Sequence, residues 1–592
     1  MAGSPNDKII IGNCSGFYGD KVSAARDLVM GGPIDVLTGD YLAELTMVIL
    51  YRQRLKDGSR GWVNTHLKQM EQVMGTCIDR GIKVVTNAGG LNPRGCAEAT
   101  QALADQLGLK VKVAYIEGDD LLPRIGELQQ KGEQLINMDK GMPLAESTFP
   151  PVTANAYLGC WGMVDALNQG ADIVIAPRVT DAAVVMAPAA WKFGWKRDDW
   201  DRLAGALAAG HVIECGCQAT GGNYSFFHEI PSFVNVGYPW AEIYPDGSFT
   251  ISKHPDTGGA VTVGTVTAQI MYEIRGTQYL NPDVTAHFDT LRIEQRGRDR
   301  VFVSGVKGSN PPPSHKVCIN TMGGYKNKMT CAIYGLDAEK KANTFLDAYL
   351  TMLGGREQFD KIETQFIPTQ KENPPTNEEA FSLFRINLVS QNQKLVGPYL
   401  TPKMIEMGLA NVPGFSTIES AGEGQALIKY WPALVSSEFI SETVTFDGQQ
   451  KSVAPTQQLG LPQAVVTKPG FPIPPVPTGP TAPTALGRIY AARSGDKGGS
   501  ANVGIWGTTP ESYAFLRDFL TVERLKEIMV DVRPFEIERY EFPNLFALNF
   551  YIHDILQDGV SSSTRMDPQA KTLGEYLRAK VVEIPLSIPR VC

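Results

Sequence analysis

The sequence predicts an α/β protein. It calls for a mostly parallel, doubly wound sheet in the N-terminal part, a β-rich middle section and a small α+β C-terminal domain. Three observations carry this reading. Continuous apolar runs alternate with helix-like stretches over roughly the first third of the chain, the pattern of a parallel sheet covered on both faces. Hairpin patterns then take over. A proline-dense stretch, "LPQAVVTKPGFPIPPVPTGPTAPTALG", sets off a last segment long enough for one more domain.

The elements follow in order. "KIIIG" (8–12) is a strand, then a Gly-rich loop and the helix-like "VSAARDLVMGG". "PIDVLTGD" (33–40), "GIKVVTNAGGLNP" (81–93), "KVKVAYIEGDD" (110–120) and "ADIVIAPRVTD" (171–181) repeat the theme, each apolar run ending in a polar loop. Between them, "CAEATQALADQLG" (96–108) reads as a helix with Gly just past its end. "AEIYPDGSFTISK" (241–253) reads as a hairpin through Asp-Gly, and "LRIEQRGRDRVFVSGVKG" (291–308) as another. After the prolines come strand, loop, strand, helix, two strands, helix and a final strand, a roughly ferredoxin-like order. The expected division is residues 1–235, 236–460, a linker at 461–486, and 487–592, since 592 residues exceed what one core organises.

Composition narrows the function. Hydrophobic residues make up 43% and charged residues 20%, as in ordinary soluble domains. A net charge of −8 without a basic stripe argues against nucleic acid as a partner. No signal-peptide pattern and no membrane-length apolar run stand out, so no membrane partner and a cytoplasmic location are expected. The terminal "SIPRVC" lacks a prenylation ending. The nine cysteines are scattered, and Cys215 and Cys217 have no further ligand to complete a zinc set. No metal and no cofactor are therefore expected, and the size and class make a homo-oligomer, dimer or tetramer, the default.

In open parallel sheets ligands bind beyond the C-terminal ends of the strands. The candidate residues are those in the loops there. Asn13, Ser15, Gly16 and Asp20 lie in "GNCSGFYGD", where backbone N–H groups at a helix start suit an anion. The same spacing fits a tight turn capped by Asp20. Asp40 and Glu44 form an i, i+4 carboxylate pair fit for acid–base work or for capping. Asn87 and Asn92 flank two glycines and suit a carbonyl or phosphate oxygen, or αL turns. Arg178 and Asp181 offer an anion-binding group and a base, or a local cap. Thr220, Gly221, Gly222 and Asn223 read as an oxyanion or amide-binding loop, with His211 and His228 near it. In "ARSGDKGGSANVGIWG" (492–507), Arg493, Ser494, Asp496, Lys497 and Asn502 crowd a Gly-rich loop. It reads as a loop that closes over the large domain's site, or as a domain or subunit contact. No GxSxG, HExxH or His-rich metal cluster occurs.

Seven segments in order, "GNCSGFYGD", "YLAELT", "VTNAGGLNP", "APRVTD", "QATGGNY", "PDTGGAVTVGTVTAQIMYEI" and "ARSGDKGGSANVGI", resemble the acyclic terpene utilisation AtuA family. The resemblance covers about 8–460 and 485–592. It departs at Asn13-Cys14 and in the long linker. It implies a large AtuA domain joined to a small ferredoxin-fold domain, in a family associated with bacterial breakdown of citronellol and geraniol, whose intermediates are branched acyl-CoA thioesters. The resulting expectation is a metal-independent enzyme acting on a small acyl or carboxylic substrate, with coenzyme A possible as part of that substrate. Its chemistry is lyase, hydratase or isomerase type. Asp181 or Asp20 is the base, Glu44 and Asp496 are further catalytic carboxylates, and Arg178, Arg493 and Lys497 bind the anion. The alternatives are an amide or ester hydrolase using activated water, Ser15 or Cys14, and a non-catalytic accessory subunit.

Overall fold

A computed structural model describes residues 7–591. Residues 1–6 and Cys592, on which the signal and prenylation readings partly rest, lie outside the described residues. The largest sheet has 11 strands. Its centre is parallel, in the spatial order β1 (Ile9–Asn13), β2 (Val36–Gly39), β3 (Lys83–Gly90), β6 (Ile173–Pro177), β4 (Val113–Glu117). β1, β2 and β6 are buried along their whole length, which is why these strands read as unbroken apolar runs rather than alternating ones. Helices Ala24–Gly31, Asn64–Arg80 and Pro93–Gln106 cover one face. Helices Trp161–Asn168, Ala183–Phe193 and Trp200–Ile213 cover the other.

The expected doubly wound, mostly parallel sheet is corrected here to a mixed one. Beyond β1 the sheet continues antiparallel through β7 (Pro239–Ile243), β8 (Phe249–Lys253), β12 (Arg300–Ser304) and β11 (Arg292–Gly297). Beyond β4 it continues through β19 (Glu442–Phe446) and β20 (Gln449–Val453). The two hairpins read in the middle section thus both extend the first sheet beyond β1, and a hairpin not read from the sequence extends it beyond β4. Strands from both sides of the expected 235/236 boundary therefore pair in one sheet.

A second sheet is built on β14 (Ser314–Tyr334). It pairs with β16 (Phe381–Ser390), β17 (Phe415–Glu419), β18 (Gln425–Ser436) and, from the N-terminal part, β5 (Pro151–Ala156). β15 (Lys361–Ile367) extends it beyond β16. A small sheet holds β9 (Gln278–Leu280), β10 (Thr285–His287) and β13 (Lys307–Ser309).

The proline-rich linker is extended but pinned. Asn310 donates to the Pro462 carbonyl and accepts from the Ala464 N–H, and Lys468 pairs with Asp289. Its end is not linker: β21 (Thr481–Ala485) pairs with the final strand β26 (Val581–Pro585). The C-terminal unit is a four-stranded antiparallel sheet in the order β22 (Ala491–Lys497), β23 (Ser500–Trp506), β25 (Ala547–Ile552), β24 (Ile537–Phe542). It has its own apolar core, but Ala491, Trp506, Phe542, Leu545 and Ala547 belong to the main core. The two units therefore share one buried apolar interface.

Candidate active site

The stretch 492–507, expected as a loop, is a β-hairpin. β22 and β23 pair continuously from Ala491 with Trp506 to Lys497 with Ser500, leaving Gly498-Gly499 as the turn. Gly498 has φ +66, the left-handed conformation such a turn needs. Gly495 lets the strand lie flat on the large unit, since a Cβ there would stand 2.4 Å from the Tyr272 ring. Arg493 stacks 4.3 Å over that ring and bonds to Gln218 and to the Asn223 carbonyl. Asn502 donates to the Met271 carbonyl at 2.7 Å and accepts from the Glu273 N–H at 3.0 Å. Asn549 donates to the carbonyls of Ile274 and Arg275. These bonds set the hairpin against the ends of the parallel strands.

Between hairpin and strand ends lies a chamber rich in charge. Asn13, at the end of β1, is buried and donates to the carbonyls of Ser15, Ile213 and Glu214, while its Oδ1 accepts from Thr38 and the Asp40 N–H. It is a bracket that holds the Asp40 and Glu214 backbones together. Asn87, in β3, donates to Asp40 Oδ1 at 2.6 Å and accepts from the Tyr41 N–H. Arg178, just past β6, donates to the Leu42 carbonyl at 2.7 Å and to Asp181 at 3.1 Å, and its guanidinium lies 4.2 Å over the Tyr157 ring. Tyr157 donates to Glu44 at 2.8 Å, and Lys316 stands 3.6 Å from the same carboxylate. Asp181, Lys316 and Glu44 are deep in the molecule, yet their side chains keep 29%, 28% and 29% accessibility, so they face an internal space. A cleft leads to it past Glu44, Leu45, Asn320, Tyr430, Asp496 and Ser561.

The electrostatics are uneven. Burial and the neighbouring Asp181 push the Asp40 carboxyl well up, against the pull of Arg178. Burial with Asp181 and Glu273 does the same to Glu214, and burial with Glu273 and Glu44 does it to Asp496. Burial also raises Glu273, against its bond from Tyr272 and the pull of Lys497. Burial would raise Glu44 too, but Lys316 and Arg178 carry it down to about 2. Like charges crowded in a dry space cannot all ionise. The chamber therefore sets carboxyls held toward their protonated form beside a Glu44 held ionised and the side chains of Arg178, Lys316 and Lys497. His211 is buried and brought down to about 4 by desolvation, so it is neutral. Its Nδ1 lies 3.3 Å from Glu214.

The structure thus brings together Asp40, Glu44, Asn87, Arg178, Asp181, Asp496 and Lys497 of the expected residues. It corrects others. Asp20 closes its own loop, accepting from the Gly16 N–H and from Tyr238, while the N-cap position of the helix Ala24–Gly31 is Ser23. Gly16 is required by packing, because a Cβ would meet Cys215 Cα at 2.8 Å. Asn92 is the N-cap of the helix Pro93–Gln106. Thr220 is buried and donates to the carbonyls of Cys217 and Gly237, and Gly221 supports a turn at φ +110. Gly222 lies against the Cys217 carbonyl, and the Asn223 side chain is exposed, with only its carbonyl meeting Arg493. No oxyanion loop forms there. Ser494 accepts from the Gly574 N–H and ties the hairpin to its own unit. Arg493 and Asn502 are spent on the inter-unit contact. Ser15 is buried and donates to the Phe17 carbonyl. Cys14 is buried and pushed up to about 12 by desolvation. Neither is a poised nucleophile.

Sequence reasoning missed Glu214, Glu273, Lys316, Tyr157 and Lys571, whose ammonium lies 6.0 Å from the Tyr272 ring centroid. Glu273 carried one signal, a charged residue inside the apolar run "AQIMYEI", and it sits at φ +54, rare for a side chain of its size. Lys316 alternates with apolar neighbours in "HKVCIN", the pattern of a strand with one polar face. Among the described residues no group of three His, Cys, Asp or Glu side chains is placed to hold a metal ion. No helix among them is long and apolar enough to cross a membrane.

Comparison with curated proteins and with solved structures found no match. Two family models do match. The model for the AtuA ferredoxin-like domain covers residues 484–583, so the C-terminal unit is a ferredoxin-like domain beginning with β21. The model described as acyclic terpene utilisation family protein AtuA covers residues 9–446, well over half of the chain and all the strands that frame the chamber except the hairpin. The chain belongs to the AtuA family.

Proposed function

We propose that this chain is an enzyme that takes a small carboxylic or acyl substrate into the chamber and moves protons on it, in chemistry of the lyase, hydratase or isomerase type. One observation carries the reading: carboxyl groups kept protonated by burial stand beside cations in an enclosed, accessible space at the strand ends. A carboxylic acid that stays neutral can donate a hydrogen bond or a proton to a developing enolate or oxyanion. The upward shifts at Asp40, Glu214 and Asp496 reduce the negative charge that meets Arg178 and Lys497, which favours an anionic substrate. Lys497 and Arg178 then hold its acid group. In this reading Asp181, bonded by Arg178, takes a proton from the carbon next to the acyl group. The cleft past Asn320 and Tyr430 leaves room for the acyl group to continue outward, as the thioester of a carrier such as coenzyme A would.

Proton abstraction can be read without knowing the full reaction. The protein is incubated in D2O with a panel of short acyl acids and their thioesters that carry no ketone. Proton NMR should show α-proton exchange on at least one of them. Asp181→Asn should slow that exchange by about 100-fold or more with the fold unchanged, in line with the worth of a positioned base. An absence of exchange across the panel, or full exchange in Asp181→Asn, contradicts the reading.

A further inference from the structure

Lys316 is an unusual lysine. It lies on β14, where the Tyr157 N–H donates to its carbonyl at 2.9 Å and β5 pairs beside it. Its position is thus set by the centre of a sheet, not by a loop. Its ammonium makes no hydrogen bond to any described residue. Glu44, at 3.6 Å, is its nearest acid and is already engaged by Tyr157. Two aromatic rings flank the nitrogen, Tyr157 with its centroid at 5.0 Å and Tyr430 at 5.6 Å. The Tyr430 hydroxyl is buried and, by the geometry of its bonds, has no hydrogen-bond partner among the described residues. Along the same face of β14, four residues on, Asn320 lines the cleft together with Glu44, Tyr430 and Asp496. Four strand residues span about 13 Å, and the amine meets two of the cleft's lining residues, Glu44 and Tyr430.

Resting on the acid-binding reading above and deepening it, we infer that Lys316 is a nucleophile that forms an imine with the carbonyl of a 2- or 3-oxo acid whose carboxylate is held by Arg178 and Lys497. An amine between aromatic walls, short of hydrogen bonds and close to a second cation, is of the kind that reacts as the free base. Burial and Lys497 lower Lys316, against the pull of Glu44. The step balances. The ammonium releases one proton to water. Nζ adds to the carbonyl carbon, and the C=O electron pair moves to oxygen, which takes a proton from a neighbouring carboxylic acid such as Asp496. The nitrogen gives up a proton to the Asp496 carboxylate just formed, the oxygen takes that proton as its second and leaves as water, and the freed nitrogen lone pair closes the C=N bond. Nothing is oxidised or reduced. The protonated imine accepts the electron pair when an adjacent C–H or C–C bond breaks, and water then returns the amine.

The test traps the imine. The full-length protein is incubated with pyruvate, 2-oxobutyrate or acetoacetate and sodium cyanoborohydride, and its peptides are read by mass spectrometry. The expected result is one dominant adduct of the reduced acid on Lys316, at least tenfold above any other lysine. Its pH midpoint should lie below the ordinary lysine value of about 10.4, and the adduct should be absent in Lys316→Arg. Because the wild-type site and pH profile are read directly, the outcome does not depend on that variant folding. Adducts spread over surface lysines, a dominant adduct on Lys497 or Lys571, or an ordinary midpoint overturns the inference. α-Proton exchange on the ketone-free acids without a Lys316 adduct overturns this inference alone. An adduct without that exchange overturns the assignment of Asp181 alone.

Discussion

Arg178→Met lowers the stability of the folded protein by about 3–5 kcal/mol at pH 8, the cost of removing one member of a buried charge set. Arg178 is 2% exposed and stands among Asp40, Glu44 and Asp181. Methionine fills much of its volume but supplies no charge and no donor to the Leu42 carbonyl. At pH 8 the neighbouring carboxylates then face one another with less compensation. At pH 5 more of them hold protons, so the deficit should shrink to about half. Urea unfolding of both proteins at the two pH values reads this. An equal deficit at both would mean that packing, not charge, is the role of Arg178. Arg178→Lys should recover only part of the loss, because an ammonium cannot both stack on Tyr157 and fork between Leu42 and Asp181.

The second large effect is the pH dependence of stability. Burial raises the Asp119 carboxyl to about 7, against its bonds from Asn155 and the Arg178 N–H. Burial, with Asp283 beside it, raises Glu442 to about 8. For such a group the folded state binds the proton more tightly than the unfolded chain, whose carboxyls titrate near 4. Stability therefore falls as pH rises from about 4, and levels off above the folded value of 7 to 8. Glu44, Glu242 and Glu538 work in the opposite sense. They are held at about 2, so their contribution is lost as pH falls below the ordinary carboxylate range. The expected profile peaks on the acid side of neutrality. Asp119 alone accounts for a loss on the order of 4 kcal/mol across the alkaline limb. Asp119→Asn mimics the protonated acid, so its melting temperature should fall less than that of the wild type between pH 5 and 8.5. Parallel curves would exclude Asp119 as a source of the slope.

The sequence made the strand ends legible because backbone periodicity is local. An apolar run followed by a polar loop and a helix places Asp40, Asn87 and the Arg178–Asp181 pair at one edge of a parallel sheet with no knowledge of the rest. The same local logic misplaced Asp20 and Asn92. A polar residue between strand and helix has the same signature whether it holds local backbone or meets a ligand, and here Asn92 caps its helix while Asp20 closes its loop. The hairpin at 491–506 looked like a loop because its glycines answer to a different demand, the flat approach of β22 to Tyr272. Glu214, Glu273 and Lys316 reach the chamber only through packing between segments far apart in the chain, which no local pattern encodes. The edge strands also escaped the parallel expectation. β19 and β20 arrive from more than 300 residues beyond the strand they extend.

The account stands on one spatial claim, that strand ends and hairpin enclose a chamber for a small acid. A crystal structure of the protein with a short oxo acid tests it most directly. The acid should lie between Asp181 and Asp496, its carboxylate within hydrogen-bond distance of Arg178 or Lys497 and its carbonyl carbon next to Lys316. An acid bound elsewhere, with the hairpin and strand ends closed on one another and no space between them, would contradict it.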